Sequence, residues 1–264
     1  MNDTITAKRM LGKLLAPIWR STGPRRCVLL YHAIGTSPWA ISVEDFRAQL
    51  AWLAANAAVG TLDQVLDGSP ASALSIAITF DDGYACLADQ ALPVLKDLGL
   101  TATAYLNTGW IMDGERRDSD AALGHYPAET FMNWADVEQL ASQGWTIGSH
   151  GVEHLDLTCL APEAVDRELL VSRQTLQQRL GVADCRHFSY TWGRHSPALR
   201  SRVDAAGYRY AAAGHHAPLR AGDDPLAFPR INVARDYTLD DFKAIVRGDW
   251  DYLGWVQRAR AWRR

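Results

Sequence analysis

The sequence lacks paired cysteines: Cys27, Cys86, Cys159 and Cys185 stand singly among 264 residues. Without a C-x-x-C pair there is no redox motif and no thiolate zinc site, and the four read as small buried hydrophobes. No apolar run approaches the length of a membrane span. The opening MNDTITAKRMLGKLLAPIWR does not read as a secretory leader, because Lys13 interrupts its apolar stretch and no small-residue cleavage site follows. A cytoplasmic location is therefore expected. Internal repeats and low-complexity tracts are also missing. What remains is 48% hydrophobic and 22% charged residues, the make-up of a globular chain that buries a full core.

A strong net charge is lacking too, at −3, but its distribution is uneven. Residues 1–26 hold Lys8, Arg9, Lys13, Arg20, Arg25 and Arg26 against Asp3, and residues 254–264 hold Arg258, Arg260, Arg263 and Arg264 with no acid. Basic ends on an acidic body argue against nucleic acid, which calls for a basic stripe across a fold. The tail also carries Trp250, Tyr252, Trp255 and Trp262. Two readings stay open: a terminal helix packing its tryptophans on the body, or peripheral contact with the inner face of a membrane, where aromatic rings and arginines suit the headgroup layer.

Strand-length apolar runs alternate with helix-period segments, the pattern of a parallel sheet wrapped by helices. The length fits one α/β barrel unit, divided as a basic arm over 1–26, a catalytic domain over 27–247 and a basic aromatic tail over 248–264. Strands are expected at 27–32, 75–80, 101–107, 145–148, 186–190, 208–213 and 230–233. Helices are expected from Ser42 through Leu53, and over 87–98, 134–142, 162–180, 197–206 and 238–247. Residues 110–133 have neither period, and a loop of that length is usually functional.

Active sites of parallel barrels lie at the carboxyl ends of the strands. His32, Asp81-Asp82, His150 with His154, and 190–193 all fall at such ends. Carboxylate and imidazole are ligands for zinc and similar ions, and a catalytic site takes three of them. His150 and His154 are four apart, so that on a helical turn both rings lie on one side. Adjacent carboxylates at the end of a buried strand repel. A cation on one of them relieves the repulsion and leaves the other free as general base for an activated water.

Ile78-Thr79-Phe80-Asp81-Asp82-Gly83-Tyr84 and Ile147-Gly148-Ser149-His150-Gly151-Val152-Glu153-His154-Leu155-Asp156-Leu157-Thr158 resemble the first two motifs of the NodB-homology polysaccharide deacetylases, carbohydrate esterase family four. Tyr31-His32-Ala33-Ile34 with Val43-Glu44-Asp45-Phe46 is similar to the opening of the exopolysaccharide-cluster branch. The resemblance implies a distorted (β/α)7-type barrel and hydrolysis of the N-acetyl group of an N-acetylated sugar or glycan precursor. It implies Asp81 as base and Asp82, His150 and His154 as ligands of a divalent metal, zinc first, with cobalt or nickel also accepted by that set. Ser149 and Asp156 would support the loop.

The third motif departs from the family form Arg-x-Pro-Tyr-Gly, reading Ser189-Tyr190-Thr191-Trp192-Gly193. Trp192 still offers a backbone N–H to an oxyanion. The missing arginine is expected from Arg230. For the general acid, the fifth motif points to His215 or His216. His125 in the long loop is a further contender, and His32 is read either as lining the mouth or as a buried, hydrogen-bonded residue. Two other readings are a deformylase or other amidase acting on a nucleotide- or lipid-linked sugar, and a non-catalytic sugar-binding relative.

Overall fold

Apolar residues fill both faces of the central strands, and a strand buried on both faces belongs in a parallel sheet covered by helices. The computed structural model describes residues 2–19, 23–68 and 72–261. Arg20, Trp262, Arg263 and Arg264, along with the side chain of Arg260, lie outside what it describes. The strands are β1 (Arg25–Tyr31), β2 (Ala58–Val59), β3 (Leu74–Phe80), β4 (Thr103–Leu106), β5 (Thr146–Ser149), β6 (His187–Ser189), β7 (Tyr210–Ala212) and β8 (Ile231–Asn232). They pair in parallel in the order β7-β6-β5-β4-β3-β1-β8, with β2 beside the start of β3. The segment 228–232 joins the two edges. Phe228 bridges Ala212 of β7, while Ile231 and Asn232 pair with Leu29 and Leu30. The sheet thus curls into the distorted barrel that the family resemblance implies.

The helices are α1 (Asn2–Trp19), α2 (Val43–Asn56), α3 (Leu62–Asp67), α4 (Leu92–Asp97), α5 (Trp134–Ser142), α6 (Pro162–Leu180), α7 (Pro197–Ala205), α8 (Leu239–Arg247) and α9 (Tyr252–Ala261). Their ends follow local chemistry. Ser42 accepts from Asp45 N, and Thr238 with Asp241 forms a capping box. Gly181, at φ +63°, ends α6, the left-handed stop that glycine permits. Residues 87–98 do not form one regular helix. Pro93 has no N–H to donate, and a π turn over Leu87–Ala91, closed by Leu92 N to Leu87 O, precedes α4.

Alternation along the strands sorts the core into two shells. Cys27, Leu29 and Tyr31 of β1 and Ile76, Ile78 and Phe80 of β3 pack outward under the helices. Val28, Ala77, Tyr105, Ala212 and Phe228 form a separate cluster with Leu62 and Val65 of α3. Along β3 the inner row then turns polar toward its carboxyl end, from Ala77 to Thr79 to Asp81, and that end carries the site.

The terminal segments are packed helices. Arg9 makes a two-pronged ion pair with Asp241 of α8, and Tyr252 donates to Lys8 O. Trp250 is fully buried, whereas Trp255 is exposed.

Candidate active site

Strand β3 delivers the two carboxylates. Asp81 N donates to Tyr31 O at 3.1 Å, after which the backbone turns sharply, with Asp82 at φ +74° and Gly83 at φ +88°. A positive φ is strained for aspartate and is retained where the surroundings enforce it. Both side chains are buried and have separate partners. Arg230 grips Asp81 through Nη1–Oδ1 and Nη2–Oδ2, each 2.7 Å. Ser189 donates to Asp81 Oδ2 at 3.1 Å and accepts from Arg230 Nη2 at 2.9 Å. The serine that replaces the third-motif arginine thus sits in the same network as the arginine supplied from the start of β8.

Asp82 faces the histidines. Its Oδ1 lies 3.5 Å from Nε2 of both His150 and His154. Each ring is oriented from behind: His150 Nδ1 lies 2.8 Å from Ser189 O, and His154 Nδ1 lies 3.0 Å from Leu123 O. An Nδ1–H given to a carbonyl leaves the Nε2 lone pair free, the usual state of a metal-ligating histidine. Three ligand atoms within 4.8 Å of one another, all acceptors and all buried, repel until a cation or a proton lies between them. The donor set fits one divalent ion.

A loop follows β5, as expected after the strand at 145–148, and it brings the two histidines together without a helical turn. Residues 150–154 are irregular, with Gly151 at φ +85° and His154 at φ +59°. The buried Glu168 of α6 causes this, because its Oε2 accepts from Val152 N at 2.7 Å and Glu153 N at 3.0 Å. Asn107 donates to His150 O at 2.7 Å, and Ser149 Oγ bonds Ser172 Oγ at 2.7 Å and Gly151 N at 3.1 Å. Asp156 caps the next turn, accepting from Thr158 N at 3.1 Å and from Arg194.

Electrostatics divide the site by neighbour. Burial opposes ionisation of Asp82, but the His150 hydrogen bond and the charges of His32 and His154 hold it well below the usual carboxylate range. Burial is likewise outweighed at Asp81, chiefly by Arg230 and then by His150. His150 is pushed down by burial but raised overall by Asp81 and Asp82, while at His154 burial prevails and the net direction is down.

The long loop closes one side of the mouth. His125 packs 4.9 Å from the His154 ring and edge-on to Trp110 at 4.5 Å. Burial pushes it down to about 4. Its Nδ1 accepts from Asp120 N at 3.3 Å, and Nε2 has no hydrogen-bond partner among the described residues. Trp192, at φ +59°, lays a half-exposed ring 5.2 Å from His154. That ring rests on Gly124, where a Cβ would overlap it. His32, at the end of β1, stacks on Tyr126 at 5.2 Å. Its neighbour Tyr31 pairs with Phe80, which sets His32 in register beside Asp81.

His215 and His216 do not join this group. The chain leaving β7 presses Gly214 against Gly193, and His215 O accepts from Arg230 N at 3.1 Å. His216 is instead buried under the terminal helices, with its N–H on Gln257 Oε1 and its ring in the fields of Arg25 and Lys8, which with burial push it down to about 3. His215 lies in the fields of His195, Asp223 and Arg258. Sequence reasoning missed Glu168, although Glu168 and Ser172 stand on the buried stripe of α6 with Val165, Leu169 and Leu176. Polar residues on an apolar stripe were the available signal.

Comparison with known proteins agrees with this architecture. A family model described as polysaccharide deacetylase matches residues 68–211, more than half of the chain. YxkH of Bacillus subtilis, whose name places it among the polysaccharide deacetylases, is 25% identical over 226 residues, 83% of this chain and 75% of that protein. Among solved structures, the Streptococcus pyogenes deacetylase PplD in complex with acetate superposes with a TM-score of 0.73 at 19% identity, over 85% of this chain and 99% of that one. IcaB from Ammonifex degensii gives 0.72 at 21% identity, over 86% and 98%. At these identities the structural likeness speaks for the fold.

Proposed function

We propose, from the fact that this chain belongs to the polysaccharide deacetylase family of hydrolases acting on N-acetyl amide bonds, that it removes the acetyl group from a hexosamine unit of a glycan or glycan precursor. The observation that carries the reading is the division of labour between adjacent carboxylates: Asp81 is held by Arg230, while Asp82 faces two imidazole nitrogens. Asp82, His150 and His154 would hold a divalent ion, zinc first for a set of one oxygen and two nitrogens. When bound, that ion supplies Lewis acidity, polarising the amide carbonyl and lowering the pKa of the attacking water.

The protein groups have separate tasks. Asp81 takes the proton of the attacking water, and Arg230 and Ser189 keep its carboxylate ionised and oriented. The Trp192 N–H stabilises the developing oxyanion, a contribution of roughly 2.7–4 kcal/mol for one such donor. The proton for the leaving amine comes from His32, in place of His215 or His216. His32 follows Tyr31, which pairs with Phe80, so it lies in register beside Asp81 at the carboxyl ends of β1 and β3. Removal of a formyl group from a nucleotide- or lipid-linked sugar uses the same groups, and substrate assays separate it from deacetylation.

The test measures metal content and acetate release on wild type, Asp82→Ala and His150→Ala, using a panel of N-acetylhexosamine compounds. We expect about one equivalent of metal in wild type, lost in both variants together with acetate release. A wild type that takes up no metal and releases no acetate overturns the reading in favour of a non-catalytic sugar-binding protein.

A cytoplasmic location with peripheral contact to the inner membrane face is also proposed. All four cysteines are free, which suits a reducing compartment. No helix among the described residues is long and apolar enough to cross a membrane. On α1, however, Met10, Leu14 and Ile18 at helical spacing are 69%, 75% and 75% exposed, and Lys13 is exposed beside them. A second copy would set like charges together across a two-fold interface, whereas an anionic bilayer complements both features. Vesicles containing anionic lipid should co-sediment the wild type and release Leu14→Asp/Ile18→Asp. Equal sedimentation of the two ends the proposal.

A further inference from the structure

Residues 119–126 touch two functional groups at once. Leu123 O receives His154 Nδ1 at 3.0 Å, and the next residue, Gly124, lies under the Trp192 ring, whose carbons occupy the place a Cβ would take. The segment is a closed strap. Asp120 Oδ1 accepts from Ala122 N at 2.8 Å, Leu123 N and Gly124 N bond Asp120 O and Ala121 O at 3.1 Å each, and Gly124 ends the turn at φ +80°. Its ends are tied to each other and to the barrel: Ser119 Oγ donates to Tyr126 O at 2.7 Å, and Tyr126 N donates to Tyr84 Oη at 2.7 Å.

The residue seated on the strap is strained. Trp192 holds φ +59°, a left-handed conformation that is unfavourable for a bulky L-residue and is kept where the surroundings enforce it. Its neighbours are anchored, Thr191 Oγ1 to Leu155 O and Gly193 against Gly214, but neither anchor takes up the N–H of Trp192. The bonds of the turn also skip that N–H, running from Gly193 N to Tyr190 O at 2.8 Å and from Arg194 N to Thr191 O at 3.2 Å. The ring is the further constraint. It is 50% exposed, so burial alone does not fix its place, and its seat on Gly124, with the His154 ring 5.2 Å away, does. We infer that Gly124 is a positioning residue for the reaction: only its bare backbone admits the Trp192 ring, and the seated ring keeps residue 192 left-handed, with its N–H directed to the oxyanion. One strap thus orients a metal ligand through Leu123 O and an oxyanion donor through Gly124.

The inference rests on the deacetylase reading above, and the experiment keeps the two apart. The proteins are wild type, Gly124→Ala, Trp192→Ala and the double variant, all loaded with zinc. Three quantities are measured: kcat and KM for acetate release from the N-acetylhexosamine panel, affinity for methylphosphonate, a tetrahedral oxyanion, by calorimetry, and metal affinity by chelator competition. Gly114→Ala is the control, because Gly114 stands at φ +77° in the same long loop with nothing within 4 Å of its would-be Cβ. It carries the backbone strain of the substitution without the overlap. Should Gly124→Ala fail to fold, Gly124→Asn brings a Cβ into the same overlap with a residue that tolerates left-handed backbone.

Gly124→Ala should lower kcat and methylphosphonate affinity roughly tenfold, short of the roughly 10²–10³-fold that follows outright loss of one oxyanion donor. KM and metal affinity should stay as in wild type, since the half-exposed ring yields before the strap that carries Leu123. Trp192→Ala should match Gly124→Ala, and the double variant should be no worse than Trp192→Ala, as for two residues acting through one contact. Gly114→Ala should match wild type. Additive losses in the double variant, or metal affinity falling as far as kcat, would make Gly124 a structural residue of the loop and overturn the inference. Unchanged kcat and methylphosphonate affinity in Gly124→Ala overturn it too. Methylphosphonate binding that Gly124→Ala weakens, in a protein whose wild type releases no acetate, keeps the positioning role and overturns the deacetylase reading instead. A wild type that neither binds methylphosphonate nor releases acetate overturns both.

Discussion

His150 and His216 are both buried imidazoles at the ends of barrel strands, yet the molecule treats them in opposite ways. Around His150, two carboxylates outweigh the cost of burial and raise its affinity for a proton. Around His216 the nearby charges are Arg25 and Lys8, which act in the same direction as burial and lower it. The strand-end position is shared, so position alone does not make a histidine functional. The sign of the charges packed against it does, and those charges come from other strands and helices.

The sharpest way to break this comparison is to remove a counter-charge from the mouth. Arg230→Ala leaves Asp81 buried without its partner, which should cost about 3–5 kcal/mol of stability by urea denaturation and abolish acetate release to within assay background. Arg230→Lys should recover little, because a single ammonium cannot reproduce the two parallel bonds to Oδ1 and Oδ2. Near-normal turnover in Arg230→Ala would mean that Asp81 needs no positioning partner.

A smaller effect is expected one layer out. Glu168→Gln keeps the size of the side chain but replaces the carboxylate that receives the N–H groups of Val152 and Glu153. The loop should loosen without the helix unfolding. Metal affinity, measured by chelator competition, should fall about 10–100-fold, as for other groups that orient ligands from behind. Unchanged affinity would show that Gly151 and the positive φ of His154 hold the loop unaided. Chelation itself should lower the melting temperature of the wild type and not that of Asp82→Ala, since an ion bound at 100 times its Kd adds about 2.7 kcal/mol.

The comparison also shows where sequence reading stops. Helices α5 and α6 are legible to the residue, because Asn133, Pro162 and Gly181 mark their ends with local chemistry. Asp81, Asp82, His150 and His154 are legible as a motif, since the turn after β3 and the loop after β5 are short segments with characteristic residues. What the sequence does not record concerns relations across the fold. His215 and His216 sit one turn from a strand end, and nothing in GHHAPL records that His215 O is bonded to Arg230 N. The shape of the loop over 150–154 is hidden for the same reason, because Glu168, which holds it, is 14 residues beyond His154. The short elements β2 and α3 are below the length at which either periodicity can be read.

The mildest prediction tests the other half of the comparison. His216 is neutral when folded, with its affinity for a proton lowered to about 3, whereas the unfolded chain returns it to about 6.5. A depressed folded value means that the unfolded state binds more protons between these limits. The stability associated with neutral His216 is therefore complete above about pH 6.5 and is lost as pH falls toward 3. His216→Leu removes this dependence and leaves the mouth untouched. Comparing urea midpoints at pH 7 and pH 5, the wild type should lose about 2 kcal/mol more than the variant, at about 1.4 kcal/mol per pH unit below the unfolded value. His125, also lowered, is present in both proteins and cancels in the difference. Acetate release at pH 7 should be the same in both. If the two proteins lose stability in parallel from pH 7 to pH 5, then His216 already meets a partner for its charge, and the contrast with His150 is weaker than the packed charges imply.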